Sequence, residues 1–332
     1  MSVAKFQTSA SKWTLLLALA LASVALALTI GAVDISPSEL VQCLTSACAN
    51  QLNDTVIWQV RLPRVLVGLV AGIGLAIAGA ILQNTTRNPL ADPYLFGIVS
   101  GAGLGATIAS LDTFGLNQAL ALPMAAFLGA MLAITLVMTI AKLLNRVEQL
   151  LLTGVAVSFM LSSVSQFLLY LGEPFATNRV MFWLMGSLGR VTMTNFYVIS
   201  AVLLTVIIII VALHRQIDAL LLGDESATSL GVNVAKLRLL LLTSCAGLTA
   251  TIVAYCGGVG FVGLMIPHIA RQLVGVTTLP LIFGSALIGG SFLIWVDVAA
   301  RSLLRDVEIP LGIITSAIGS IFFLYVMLRN RQ

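Results

Sequence analysis

The sequence predicts an all-α polytopic membrane protein, ten transmembrane helices forming a single domain over residues 1–332. The first observation behind this is charge: 59% of residues are hydrophobic and 9% are charged. Soluble domains carry about 25% charged residues, so water could not solvate this surface. The second is length: apolar stretches long enough to cross a bilayer, about 20 helical residues each, recur along the whole chain. The third is a set of glycine and proline breaks that divide those stretches. Little sequence remains for a large soluble enzyme module, a DNA-binding domain or an attached extracellular domain. The net charge of +4 is read as cytoplasmic-loop Lys/Arg rather than as a nucleic-acid footprint.

The spans are expected at about residues 13–33, 64–86, 93–111, 120–141, 149–172, 192–214, 238–256, 258–270, 276–300 and 309–328. The first follows Lys5 and Lys12 as a signal peptide would. Its apolar core exceeds the roughly 7–15 residues of such signals and further spans follow, so it is kept as a span. The seventh and eighth come from one charge-free run that is too long for a single crossing. Gly257, Gly258, Gly260 and Gly263 break it ahead of Pro267.

With the N-terminus in the cytoplasm, ten spans put Lys5, Lys12, Arg87, Lys142, Arg146, Arg215, Lys236, Arg238, Arg271, Arg329 and Arg331 inside. Arg61, Arg64, Arg179, Arg190, Arg301 and Arg305 fall outside. The inside excess supports this orientation. Cys43 and Cys48 lie in the outer loop after the first span, where an oxidising compartment would allow a small disulfide. Cys245 and Cys256 read as small hydrophobes.

Rows of small residues at four-residue spacing, Gly68, Gly72, Ala76 and Ala80, and Gly312, Ser316 and Ser320, should let helix backbones approach closely. The strings AGIGLAIAGAIL at Ala71 and AGLTATIVAYCG at Ala246 echo one another, each ahead of a proline-containing break. Such an echo suits an inverted internal repeat.

Charge within the spans is nearly absent. Asp297 stands four residues before Arg301, the spacing of a helical ion pair. Ser158, Ser162, Ser165 and Gln166 share one face of the fifth span. They could line a watery pathway or pack against a neighbouring helix. GVGFVG and GAGLGA resemble dinucleotide loops but follow no soluble strand, and are read as backbone breaks or packing sites. Lys5, Lys12, Lys142 and Lys236 are preceded by Ala or Ser, so no Walker A motif exists and nucleotide-driven work must come from another chain. No catalytic set and no metal ligand set is apparent; His214 and His268 lie near span ends without a partner.

Residues 215–237 form the longest cytoplasmic segment. Asp224 is expected to cap a short helix through Ser229, with Gly231 ending it. A short capped helix between two long spans suits contact with another protein.

The segments Arg61 to Gly105 (containing RLPR and NPLADP), GDESATSLGV (Gly223 to Val232), GGVGFVGLMIPHIAR (Gly257 to Arg271) and EIPLGIITSAIGSIFFLYVML (Glu308 to Leu328) together resemble the FecCD-type permeases. These are the membrane subunits of type II ABC importers for ferric siderophores, haem and cobalamin. The likeness runs from about Val56 to the C-terminus, in family order. It implies a bacterial inner-membrane permease with both termini cytoplasmic, no catalytic site and no cofactor of its own. Its partners would be ABC ATPases that hold ATP and Mg, a periplasmic binding protein, and a second permease copy or a sister permease; nucleic acid would not be one.

Carried over by motif, Arg61, Arg64 and Arg301 would dock the binding protein. As exposed ion pairs worth about 0.2–1 kcal/mol each, they would orient it more than hold it. Gly223, Asp224, Glu225, Ala227, Leu230 and Gly231 would couple to the ATPase. Asn88 and Leu90 would belong to an inner gate together with Val147 and Glu148, where the chain departs from relatives that carry small hydroxyl residues. Ser158, Ser162, Ser165, Gln166, Thr315, Ser316 and Ser320 would line the pathway. The expected cargo is an iron chelate, first a ferric siderophore, then haem or cobalamin. An ion-coupled carrier or an intramembrane enzyme would need acids or a catalytic pair at membrane depth.

Overall fold

A computed structural model describes residues 3–31, 35–45, 48, 50–111, 118–144, 147–304 and 307–329, without the side chains of 3–10, 44, 118–120, 142, 144, 147–151 and 329. The described residues are helical, with no strand among them. The elements run α1 (Val3–Thr29), α2 (Pro37–Thr45), α3 (Gln51–Thr55), α4 (Leu62–Thr86), α5 (Ile98–Ser110), α6 (Gln118–Leu144) and α7 (Val147–Leu171). They continue as α8 (Pro174–Leu184), α9 (Met193–Leu220), α10 (Asp224–Ser229), α11 (Val234–Cys256), α12 (Val262–Val274), α13 (Thr278–Ser302) and α14 (Leu311–Arg329).

Eight helices among the described residues are long and apolar enough to cross a membrane: α1, α3 running into α4, α6, α7, α9, α11, α13 and α14. The expected third and eighth spans are shorter. At 13 residues each, α5 and α12 reach about 20 Å, less than the ~30 Å hydrocarbon core. Each follows a break. Pro93–Phe96 forms a 3₁₀ turn ended by Gly97. Gly257, at φ 72°, ends α11, and the chain re-enters helix at Val262. GVGFVG is therefore a backbone break, as its context suggested.

Two segments read as loops are helical. Residues 51–61 wind continuously into α4 through a π-helical stretch, Val56–Arg61. Helix α8 lies between the fifth and sixth expected spans, where Pro174 opens it and Arg179 had kept it out of the span count. The disulfide between Cys43 and Cys48 is formed, and Cys245 and Cys256 are buried thiols.

Helix α4 is the centre of the bundle: 83% of its apolar window is buried, against 17% to 28% for α1, α6, α7, α9 and α14. The small-residue row explains how. A methyl group on Gly72 would overlap the Gly289 carbonyl of α13, and one on Gly79 would overlap the Gly263 carbonyl of α12. The GAGLGA glycines do the same in α5, where Gly101 meets Gly129 and Gly105 meets Ala125 of α6. With no hydrophobic drive between helices in lipid, such close dispersion contact holds them together. Helix α4 also packs on α11, and α11 on α5, so each long helix of the two echoing segments lies against the other segment's short one.

The broken ends are stitched to one another rather than left open. Gly258 N donates to Leu184 O (3.2 Å), Ser187 N to Cys256 O (2.9 Å), Leu311 N to Gly186 O (3.0 Å) and Gly312 N to Met185 O (2.9 Å). Val259 N donates to the Tyr94 hydroxyl at 2.8 Å. Irregular backbone at membrane depth survives only when its polar groups are paired in this way.

Replacing Gly79 by Val should cost at least about 1–3 kcal/mol, the usual range for overpacking. Gly247→Ala, where an added methyl meets nothing within 4 Å, should be neutral or gain up to about 1 kcal/mol. Unfolding curves of the detergent-solubilised variants check both.

Candidate functional site

The polar residues collect at the two ends of the bundle. At one end, where α1 and α13 finish and α4 begins, Arg64 donates through Nε to Asp297 Oδ1 (2.7 Å) and through both terminal nitrogens to Glu308 (2.7 and 3.0 Å). Asp297 also accepts from Arg301 Nε at 3.2 Å, the i,i+4 pair that the spacing suggested. Arg61 Nη1 donates to the carbonyls of Leu28 and Thr29 (2.8 and 2.9 Å), and Arg301 donates to those of Ala27 and Ile30. Two guanidiniums thus cap the last turn of α1, where the helix dipole favours cations and unpaired carbonyls need donors.

This corrects the expectation of exposed arginines. Arg61 and Arg64 are only 4% and 7% exposed, and all three arginines have partners within the chain. The reason is burial: a cation taken out of water must be paired, and carbonyls and acids lie within reach. Above the same carbonyls opens a cleft of about 800 Å³ lined by Thr29, Gly31, Glu39 and Arg301.

At the opposite end, the turn after α9 leads into α10. Asp224 is not the cap; Gly223, at φ 110°, holds that position and Asp224 is the first helical residue. Its carboxylate is occupied elsewhere. Oδ1 accepts from Arg87 Nη2 and Arg238 Nη2 (both 3.0 Å), and Oδ2 accepts from Arg238 Nη1 (3.1 Å). These guanidiniums, Arg238 first, hold the Asp224 carboxyl below the usual carboxylate range despite partial burial. The pairing is therefore present at neutral pH and is lost only as pH falls through that lowered value. Ala227 is buried beneath the helix, whereas Glu225 and Leu230 are exposed. Gly231, at φ 82°, ends it as expected.

The turn after α4 carries Asn88 and Leu90. Asn88 Oδ1 accepts from Leu90 N (2.9 Å), and Leu90 itself projects outward. Asp92 then caps the 3₁₀ turn by accepting from Tyr94 N (2.7 Å). Val147 and Glu148 open α7, but their side chains lie outside the described residues.

The polar stripe of α7 faces α5. Ser165 Oγ lies 2.7 Å from Thr107 Oγ1, Ser162 bonds Ser100 (3.1 Å), and Ser158 returns to its own helix at Gly154 O (2.7 Å). Of the two readings, this geometry favours helix packing for the serines; Gln166, one turn beyond Ser162, is exposed. On α14, Thr315 is buried, Ser316 half-buried and Ser320 exposed.

Several polar links at the α10 end were not read from the sequence. Arg271 donates to Gln83 Oε1 and to Asn84 Oδ1, and Asp218 Oδ1 accepts from Thr278 N (2.7 Å) and Oγ1 (2.6 Å) to cap α13. The pairing of Arg87 and Arg238 with Asp224 was likewise missed. Charge scarcity marked these residues as needing partners, but partners up to 188 positions apart carry no local pattern.

Comparison with known proteins identifies the family. The FecCD transport family matches residues 17–329. The hemin transport system permease protein of Yersinia pestis is 39% identical over 289 residues, covering 84% of this chain and 86% of that protein. The permease of an Fe(3+)-citrate import system from Bacillus subtilis is 38% identical over 299 residues, covering 90% and 89%. A solved structure assigned to the metal-chelate type of ABC transporter, in an inward-facing conformation, superposes with a TM-score of 0.85 at 31% identity, covering 96% of this chain and 98% of that one.

Asp297→Asn should destabilise the protein by about 3–5 kcal/mol, because it removes the buried carboxylate shared by two guanidiniums, leaving Arg64 with Glu308 alone and Arg301 with neutral carbonyls. Glu308→Gln, at a half-exposed carboxylate, should cost about 1 kcal/mol. Denaturant unfolding in detergent distinguishes them.

Proposed function

We infer that this chain, which belongs to the FecCD transport family, is the permease subunit of an ATP-driven importer whose cargo is an iron chelate, in the first instance a ferric siderophore. The observation that carries the reading is an unbroken family match over nearly the whole chain, with relatives named for hemin and for Fe(3+)-citrate at almost equal identity. That near-equality, shared by a relative from Halobacterium salinarum named for cobalamin import at 39% identity, also supports the alternatives, haem or cobalamin as cargo.

The assignment orients the bundle. The arginine end faces a periplasmic binding protein, the α10 end faces cytoplasmic ATPases, both termini are cytoplasmic, and the membrane is the bacterial inner membrane. A second copy or a sister chain completes the pathway against the exposed faces of α7 and α14. This chain performs no bond chemistry and binds no cofactor; ATP and Mg act on the partner.

Transport then works by alternating access. Nucleotide-driven closure of the ATPases favours one arrangement of the bundle over another, by as much as the two states differ in their contacts with those partners. Glu225 on α10 and Leu230 at its C-cap are among the exposed side chains available for that contact. At the far end, docking is an exchange: acids of the binding protein compete with Glu308 and the α1 carbonyls for Arg61, Arg64 and Arg301. Such exchange costs part of what it returns, which suits a partner that must leave after each delivery.

Uptake into proteoliposomes holding this chain, its ATPase and its binding protein tests the reading. Radiolabelled ferric siderophore should accumulate with ATP inside the ATPase compartment, and neither haem nor cobalamin should compete. Accumulation by this chain without the ATPase, abolished by an uncoupler, would instead identify an ion-coupled carrier.

A further inference from the structure

We propose that Asp224 is a positioning residue that ties α10 to the C-terminal end of α4 through Arg238 and Arg87, so that displacement of α10 is delivered to the turn Asn88–Leu90. This deepens the reading of the chain as an ATP-driven permease and rests on it.

The tie has two strands. In the first, Arg238 forks onto both Asp224 oxygens (3.0 and 3.1 Å) while its Nε donates to Thr85 O at 3.2 Å. That carbonyl belongs to the last turn of α4, where the helix supplies no partner and its dipole favours a cation. In the second, Arg87 reaches Asp224 directly at 3.0 Å. Arg87 is the C-cap of α4 and the residue before Asn88. Any movement of Asp224 therefore acts on α4 and on the first residue of the turn together.

The local backbone is shaped for this contact. Arg87 adopts φ 51°, and Gly223 adopts φ 110°. A non-glycine residue in the left-handed region is strained and persists only where its surroundings hold it there. A Cβ at Gly223 would come within 3.4 Å of Arg87 Nη1, so the two special conformations meet at the ion pair. The exposed hydroxyls of Thr228 and Ser229 bond carbonyls of their own helix rather than α4. Ala227 contributes apolar contact that could slide.

A bidentate charged pair resists both pull and lateral slip, as apolar contact does not. The Arg238 side chain is 14% exposed and that of Arg87 46%, so the inner strand is less screened and should carry more of the load. The structure thereby divides the GDESATSLG motif: Glu225 and Leu230 look outward, and Asp224 looks inward to the bundle.

The test uses the complete reconstituted assembly and whichever of radiolabelled ferric siderophore, haem or cobalamin the wild type takes up. The readout is cargo transported per ATP hydrolysed, with ATPase retention measured by co-purification. Arg238→Gln should lower that ratio about tenfold. Arg238→Lys, which keeps the charge, should recover at least half of it. Arg87→Asn, a residue that tolerates left-handed backbone, should lower it about threefold, and carries the test alone if Arg238→Gln fails to assemble.

Variants that lower uptake and ATP hydrolysis in parallel, leaving the ratio unchanged, would overturn the proposal. A wild-type assembly that takes up none of the three cargoes with ATP would overturn the permease reading itself, a separate result seen before any variant is made.

Discussion

Lipid offers helices no hydrophobic reason to adhere, so this bundle depends on how closely its backbones can approach. That constraint falls on α4. Its glycines and alanines let α13 and α12 settle against it at carbonyl distance, at Gly289 and Gly263. Burying one helix this deeply leaves its polar ends no water, and those ends become the places where the chain must supply its own partners.

At the arginine end the partners are both carboxylates and backbone. Asp297 serves Arg64 and Arg301 together, and the spent last turn of α1 absorbs the remaining donors of Arg61 and Arg301. The same groups are the ones a docking protein would seek. Under the proposed docking, the resting network would set what a partner must displace, and so would contribute to the rate of release as well as to the geometry of arrival. Charge in this position is occupied in advance rather than held out to solvent.

At the other end the same scarcity of charge produces a mechanical arrangement. One acid on a six-residue helix gathers arginines from two other elements, and Asp218 and Arg271 make comparable links nearby. Helices that cross the whole bundle are thus joined to the segment proposed to meet the ATPases.

Composition alone determined that the chain lives in a membrane, and runs of apolar residues located most of its helices, because a span must be about 20 residues long whatever it packs against. The glycine break before Pro267, the small-residue row on α4, the Asp297–Arg301 pair and the motifs of the family were readable for the same reason: each is a local spacing. Only the tertiary structure decided who pairs with whom. The arginines proved buried because α1 ends beside them. The α7 serines proved to face α5 because that helix lies at contact distance, and Asp224 left the capping position because two guanidiniums claim its carboxylate. Residues 14 to 233 positions apart meet by packing, and packing leaves no periodic trace in sequence.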